Sequence, residues 1–382
     1  MVLWIYLFLI VFINGFEAGG YQASLYSIGQ TYDLSVTSKG LFASVELFAT
    51  MLAPLVLGNW ADRTKKLRCL LILLGIQIIF SITIFMSNIQ LVFIIGIFFL
   101  GLTTSALQFI SIAALAESYP ASGKKKIGFM TSMYALGAFL APLFVDFFIN
   151  SGLGWKMLFV SLTIGSVIAF AGVVICKNQK AETVFITDNI NAGNTGFVVW
   201  GVLLLCVVMC IYVGFENGFA FFVDTLFADV FSSGLGKFAL SMFWVVMIPS
   251  RVLVGLFAKY SKKILIAAII AIPLITVVIA FANSAELVMA LCIPLGFACG
   301  AIYPSVLTTL MAYSGDRKAT ATAMITTATG IGGAAFTALT GILAGSMGLR
   351  GAMVALSAFF ILSFISVLLL DGVNKWKEKN VE

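Results

Sequence analysis

The sequence predicts an all-α membrane protein: twelve transmembrane helices in two six-helix bundles related as a pseudo-repeat. Three observations carry this. Hydrophobic residues make up 61% of the 382 residues and charged residues 10%, with a mean hydropathy of +1.11, which excludes an ordinary soluble globular chain. The apolar sequence divides at charges and turn residues into stretches of about 20–30 residues, each long enough to cross a hydrocarbon layer of about 30 Å as a helix. Finally, Gly15-Phe16-Glu17-Ala18-Gly19 returns with one change as Gly214-Phe215-Glu216-Asn217-Gly218, 199 residues later.

Taken in order, the expected spans are 2–31, 36–60, 67–87, 91–118, 126–150, 155–176, 197–229, 236–259, 264–282, 286–313, 319–347 and 349–370. The first lacks a basic leader and continues past Gly20, so it reads as a span rather than a cleaved signal. Connections are short except for 177–196, a polar run rich in Lys, Asn and Asp. It is expected to be a cytoplasmic linker between an N-terminal bundle, 1–176, and a C-terminal bundle, 197–382. Further positions repeat near the same offset: Gly58, Ala61, Lys65 and Lys66 return as Gly255, Ala258, Lys262 and Lys263, and Gly101 as Gly296.

Basic residues orient the chain. With a cytoplasmic N-terminus, 17 Lys and Arg fall inside and 4 outside (Lys39, Lys156, Lys237, Arg350), and Arg251 lies within the eighth span. Both termini are therefore expected in the cytoplasm of a cell membrane, with a bacterial inner membrane as the setting. The same asymmetry accounts for the net charge of +6 without nucleic acid. The six cysteines lie in or beside apolar segments and read as buried thiols, and the chain contains no histidine. Neither a metal nor another cofactor is expected, and proton handling falls to carboxylates.

A carboxylate near mid-membrane costs roughly 2.5–3.5 kcal/mol on insertion scales. Glu17 and Glu216, at matching places in two halves, therefore read as the centre of a transport site. Asn14, Glu17, Tyr21 and Ser24 recur at steps of three and four and share a helix face. Asn217 and Asp224 accompany Glu216, and Glu46 lies about 15 Å into the second span by helical rise. Gln108, Tyr134 and Tyr303 add neutral polar groups on the fourth, fifth and tenth spans. Phe215, Phe219 and Phe222 offer rings that would stack on a sugar or an apolar drug. An ionised carboxylate is expensive in the occluded state, so protonation is expected to accompany movement, and Arg251 either offsets a glutamate or closes an inner gate.

Between the second and third spans, Gly58-Asn59-Trp60-Ala61-Asp62-Arg63-Thr64-Lys65-Lys66-Leu67-Arg68 resembles the signature loop of the major facilitator superfamily. Gly58, Ala61, Asp62, Arg63 and Lys66 fit it, while Lys65 replaces a glycine. The resemblance implies alternating access and a cytoplasmic gate built on Gly58, Asp62, Arg63 and Lys66, with Arg251 grouped there. Ile211-Tyr212-Val213-Gly214-Phe215-Glu216 is similar to the seventh helix of the sugar-proton symporter branch that includes fucose permease, as the stretch Gly332 to Gly341 with Gly348 and Arg350 is to its eleventh helix and following turn. The acidic residue of that branch's fourth helix has no counterpart here. Gly128, Gly137, Ala141 and Pro142 resemble part of the motif of efflux antiporters, whose arginine in the fourth helix is absent. The expected function is secondary active transport of a small polar solute, sugar-like or an organic metabolite, by proton-coupled symport; the alternative is proton-coupled efflux of drugs or metabolites. No nucleotide-binding loop, metal cluster or catalytic pair supports an enzyme. The expected partners are the solute, protons and the lipid bilayer, and the expected assembly is a monomer.

Overall fold

The computed structural model describes residues 2–119, 123–176, 197–315 and 318–381. Every regular element among them is helical: α1 (Leu3–Thr31), α2 (Val36–Arg63), α3 (Lys66–Met86), α4 (Gln90–Ser118), α5 (Gly123–Asn150), α6 (Met157–Cys176), α7 (Val199–Phe231), α8 (Gly236–Leu256), α9 (Ser261–Phe281), α10 (Ala285–Ser314), α11 (Lys318–Ala358) and α12 (Phe360–Val381), with one 3-10 turn at Ala258–Tyr260. Eleven stretches among the described residues are long and apolar enough to cross a membrane, the last being Ala321–Leu370. Helices are the natural outcome, because a bilayer offers backbone groups no water and each must be satisfied within its own segment. The chain is a multi-pass membrane protein.

Several boundaries differ from expectation: the second helix continues to Arg63 and the twelfth runs from Phe360 to Val381. The eighth helix stops at Leu256, and a 3-10 turn leads into α9 at Ser261. The fifth begins at Gly123, ahead of the expected 126. The break expected at 348 falls inside α11, where Gly348 has φ 75 and ψ 165, a conformation open essentially to glycine alone. The expected linker, 177–196, lies outside the described residues.

The chain forms two compact units, Met1–Leu34 with Val45–Asp188, and Ser35–Ser44 with Asn189–Glu382. The first turns of α2 thus group with the second unit. There Gly40 and Gly341 approach so closely that neither has room for a Cβ, and the Thr37 hydroxyl donates to the Gly341 carbonyl at 3.2 Å.

Within the first unit, α1 is buried along most of its length and packs on α4, α5 and α6. Backbone meets backbone in the α1–α5 contact: Gly15 and Gly19 lie against the main chain of Tyr134 and Ala138, and Gly137 against that of Phe12 and Phe16. Gly101 of α4 lies against the main chain of Glu46 in α2. The second unit also packs helices closely at glycines. Gly214 of α7 lies against the Phe336 side chain and the Gly332 carbonyl, Gly332 against the main chain of Cys210, and Gly296 of α10 against that of Phe243 in α8.

The chain reversals repeat too. Gly154, at φ 80, precedes Trp155, whose indole N–H donates to Thr31 Oγ1 at 2.9 Å, and Lys156, whose Nζ donates to the Ser87 carbonyl at 2.5 Å and to Asn88 Oδ1 at 2.6 Å. In the second unit Gly348 precedes Arg350, whose Nη2 donates to the Ala282 carbonyl at 2.9 Å and whose guanidinium lies 5.0 Å from the Phe231 ring centroid. Ser87 and Ala282 are the residues that cap the ends of α3 and α9.

Backbone-to-backbone contacts predict a sharp contrast among glycines. Gly15→Ala and Gly332→Ala each force main chains apart and are expected to cost about 1–3 kcal/mol, as overpacked cores do. Gly75→Ala, whose new Cβ meets nothing within 4 Å, is expected to be neutral or stabilising by up to about 1 kcal/mol. Thermal unfolding in detergent checks this; equal midpoints for all three variants would contradict the close-packing account.

Candidate functional site

The glycines of α1 bring its polar face against its neighbours, and the residues of that face converge. Glu17 is completely buried and Glu46 is 3% exposed; the two carboxyl groups lie side by side, with the Thr104 hydroxyl of α4 next to Glu17. Neither oxygen of Glu17 meets a hydrogen-bond donor in normal geometry. Tyr21, one turn along α1, lies beside both carboxyls. Asn14 Nδ2 donates to the Thr104 carbonyl at 3.0 Å, tying α1 to α4 at the level of the acids. Gln108 and Tyr134 are half-buried on α4 and α5. Of the residues expected from the sequence, Asn14, Glu17, Tyr21 and Glu46 thus share one site. Thr104 was not among them; its signal was its place three residues after Gly101, the glycine that lies on Glu46.

In the second unit Glu216 is 6% exposed, with Tyr212 beside it and the charge of Arg251 close enough to act on it. Tyr212, fully buried, is one turn before Glu216 and lies near both the carboxylate and the guanidinium, its hydroxyl without a hydrogen bond in normal geometry. Tyr303 of α10 also lies near Arg251. Arg251 Nη2 approaches Met247 Sδ at 4.0 Å, and its Nε has no acceptor. The cation that sequence reasoning grouped with the gate therefore neighbours the buried glutamate, five residues before the end of α8. Asn217 turns back on its own helix, Nδ2 donating to the Val213 carbonyl at 2.9 Å.

Asp224 is placed apart from Glu216. It is 2% exposed and pairs with Lys237 at the start of α8, Oδ2 to Nζ 3.1 Å, while Lys39 lies near it and Asp229. A buried carboxylate held by a lysine is a structural clamp, since removing one member of such a pair typically costs about 3–5 kcal/mol. Lys237 is thirteen residues away across a helix turn, and no local pattern announces the pairing. The phenylalanines are also committed elsewhere. Phe215, Phe219 and Phe222 are 1%, 1% and 0% exposed, and Phe215 stacks on Phe219 and meets Phe360 edge-on at 5.5 Å. They form the core of the second unit and leave no face open to a solute; this corrects the expected stacking role.

At the signature loop, Lys66 Nζ donates to the Ala61 carbonyl at 2.7 Å and lies 3.8 Å from Glu117 Oε1. The carboxylate of that pair is 64% exposed, so the ion pair is worth at most about 1 kcal/mol, and the bond to Ala61 is what fixes the turn. Arg63 is exposed. The side chain of Asp62 lies outside the described residues. Gly58 and Gly255 are alike in having open space where a Cβ would stand. No group of three or more metal-ligating side chains occurs among the described residues.

Comparison with known proteins gives a consistent result. The chain is 23% identical over 285 residues to the "Glucose/mannose transporter GlcP" of Bacillus subtilis (strain 168), covering 69% of this chain and 67% of that one. Among solved structures it superposes on an inward-facing, occupied bacterial homologue of the human lysosomal transporter Spinster with a TM-score of 0.78, at 15% identity and covering 97% and 96% of the two chains. A D-xylose-proton symporter gives 0.74 at 15% identity over 96% of each chain. The nucleoside transporter NupG (D323A mutant) gives 0.74 at 14% identity, over 96% and 99%. At these identities the structures share a fold. The sequence model of the Major Facilitator Superfamily matches residues 7–272 and 204–382, and the chain belongs to that superfamily.

Proposed function

We propose that the protein is a secondary active transporter that moves a small polar solute, sugar-like or an organic metabolite, by alternating access and proton symport. The observation that carries this is the pair of buried glutamates at equivalent places in α1 and α7, each beside glycines that let helices touch. Burying carboxylates serves no packing purpose in a membrane protein, and such groups mark solute and proton paths. The glucose/mannose transporter and the xylose-proton symporter to which the chain is similar favour a sugar-like solute and proton coupling. The efflux alternative loses support, because Gly137, the centre of the partial antiporter motif, serves the α1–α5 contact.

The architecture proposed for this activity is twelve spans in two repeats, bundle 1–176, linker 177–196 and bundle 197–382, acting as a monomer with both termini cytoplasmic in a bacterial inner membrane. The shared glycine contacts and the matched reversals at Gly154 and Gly348 support the repeat. Gly348 provides the break that makes the stretch Ala321–Leu370 two spans rather than one. Asp62, Arg63 and Lys66 would then hold the cytoplasmic gate through charges that part when the bundles rock.

Single cysteines placed at Asn189 and Asn283 are expected to react with impermeant label from the cytoplasmic and the outer side respectively; the reverse pattern would invert the topology. In proteoliposomes, an inward proton gradient is expected to drive accumulation of at least one of D-glucose, D-mannose, D-xylose and a nucleoside panel, and collapse of the gradient to abolish it. Accumulation that needs no gradient, or none of any kind across the panel, would count against the sugar-symport reading.

The second unit yields a stability prediction. Glu216→Gln removes the carboxylate whose charge acts on the half-buried Arg251 and is expected to lower stability. Adding Arg251→Gln removes the stranded charge and is expected to restore most of the loss. If the double variant is as unstable as the sum of the two single variants, the residues are not coupled.

A further inference from the structure

The turn that joins α2 to α3 forms one wall of a cavity of about 350 Å³, to which Lys65, Lys66, Leu67, Arg68 and Leu71 contribute; the last turns of α4, with Glu117, form the other. All of it lies within the first unit. The spans mark its depth. The apolar stretch of α3 starts at Lys66 and that of α4 ends at Leu115, so the cavity sits where hydrocarbon gives way to headgroups, with Leu71 about a turn further into the span than the cations.

Charge in the cavity is one-sided. Three cations line it against a single carboxylate. Glu117 is 64% exposed and lies 3.8 Å from Lys66 Nζ, so water screens it and little holds it there. Lys66 is fixed by its bond to the Ala61 carbonyl, whereas Lys65 and Arg68 are exposed and can turn towards an anion without disturbing the core. Cations set side by side repel one another, and a shared anion offsets that repulsion. A carboxylate offers two oxygens; a phosphate offers enough to engage a guanidinium fork and two ammonium groups together. Leu67 and Leu71 add apolar wall, which an inorganic ion leaves uncovered and the glycerol and acyl stem of a phospholipid covers.

A basic loop also orients the chain in the membrane, and the repeat separates the two roles. Lys65 and Lys66 return as Lys262 and Lys263, but the place of Arg68 is taken by Leu265, which is 0% exposed. Orientation needs basic residues on one side of the membrane, and both loops supply them. The third cation belongs to the first loop alone.

We propose that this cavity binds a phosphate group, presented by an anionic phospholipid of the adjoining leaflet or by a free phosphate, with Lys65, Lys66 and Arg68 as its ligands. A bound phosphate would tie the start of α3 to the end of α4 in place of the weak pair between Lys66 and Glu117. The site requires only that the chain span a membrane, and it stands whether or not the protein moves a sugar with protons.

Thermal unfolding of the purified full-length protein in nonionic detergent tests this. The probes are dioctanoylphosphatidylglycerol, with dioctanoylglycerol as the control that has the same tails and no phosphate, and inorganic phosphate, with sodium chloride at matched ionic strength as its control. The phosphatidylglycerol is expected to raise the midpoint saturably and the dioctanoylglycerol to leave it unchanged. Lys65→Gln and Arg68→Gln are each expected to raise the half-saturating concentration about fivefold, the factor typical of one basic residue at an anionic lipid surface, and Glu117→Gln to lower it. Lys259→Gln/Lys263→Gln, which removes as much charge from the other loop as the two single variants do together, is expected to leave it in place. A saturable rise with inorganic phosphate that the same variants weaken identifies the free anion as a ligand, and a rise confined to the phosphatidylglycerol identifies the lipid. No rise with either phosphate-bearing probe beyond its control would overturn the site. So would a half-saturating concentration that Lys65→Gln and Arg68→Gln leave unchanged, that Glu117→Gln does not lower, or that Lys259→Gln/Lys263→Gln moves as far.

Discussion

The contact on which the structure depends is the close approach of α1 to α5 and of α7 to α11, main chain against main chain at Gly15, Gly137 and Gly332. In a bilayer the apolar surfaces of helices gain little by leaving lipid, so association relies on close packing and on polar groups that meet across the interface. Glycines at positions 15, 19 and 137, and at 214 and 332, supply the first. They also fix the second, since a glutamate two residues after Gly15 or Gly214 is carried into the interior by the same helix that the glycines draw inward. Displacing either helix outward by the width of a methyl group would part Glu17 from Glu46 and Glu216 from Tyr212.

Much of this was legible in the sequence, because a repeat written in glycines and glutamates is a backbone constraint recorded twice. The residues that pair at similar offsets make related contacts: Gly101 and Gly296 each lie on the main chain of a neighbouring helix, and Gly15 and Gly214 each lie against one, Gly214 with the Phe336 side chain in between. What escaped sequence reasoning is what depends on long-range neighbours. Arg251 reads first as part of a gate, and its nearness to Glu216 follows only once α7 and α8 are packed together. Asp224 reads as a solute ligand until Lys237 is brought to 3.1 Å from it. The phenylalanines of α7 look available to a solute because their spacing says nothing of α8 and α12, whose Phe243 and Phe360 close over them. Helix ends were missed for a different reason: a polar or glycine residue marks a turn, but whether the next turn continues as 3-10 or α is settled by packing, as at Ala258–Tyr260.

The reversals after Gly154 and Gly348 deal with a separate problem. A helix that ends near an interface leaves carbonyls without partners, and here a cation from another connection takes one of them, Lys156 at Ser87 and Arg350 at Ala282. The glycine's positive φ turns the chain so that a side chain two residues later can reach. One device therefore closes the end of a third or ninth helix and fixes the start of a following one, and it needs only a glycine and a long basic residue.

The glycine contacts have a consequence for how such a chain can change. Where main chain meets main chain, as between α1 and α5, the position of the helix is held whatever side chains face its buried acid. The electrostatic character around Glu17 can then be rewritten by one or two substitutions on a neighbouring helix, with the scaffold left alone. A helix whose packing and whose charge are carried by different residues changes its chemistry more readily than one in which each acid is also a packing element.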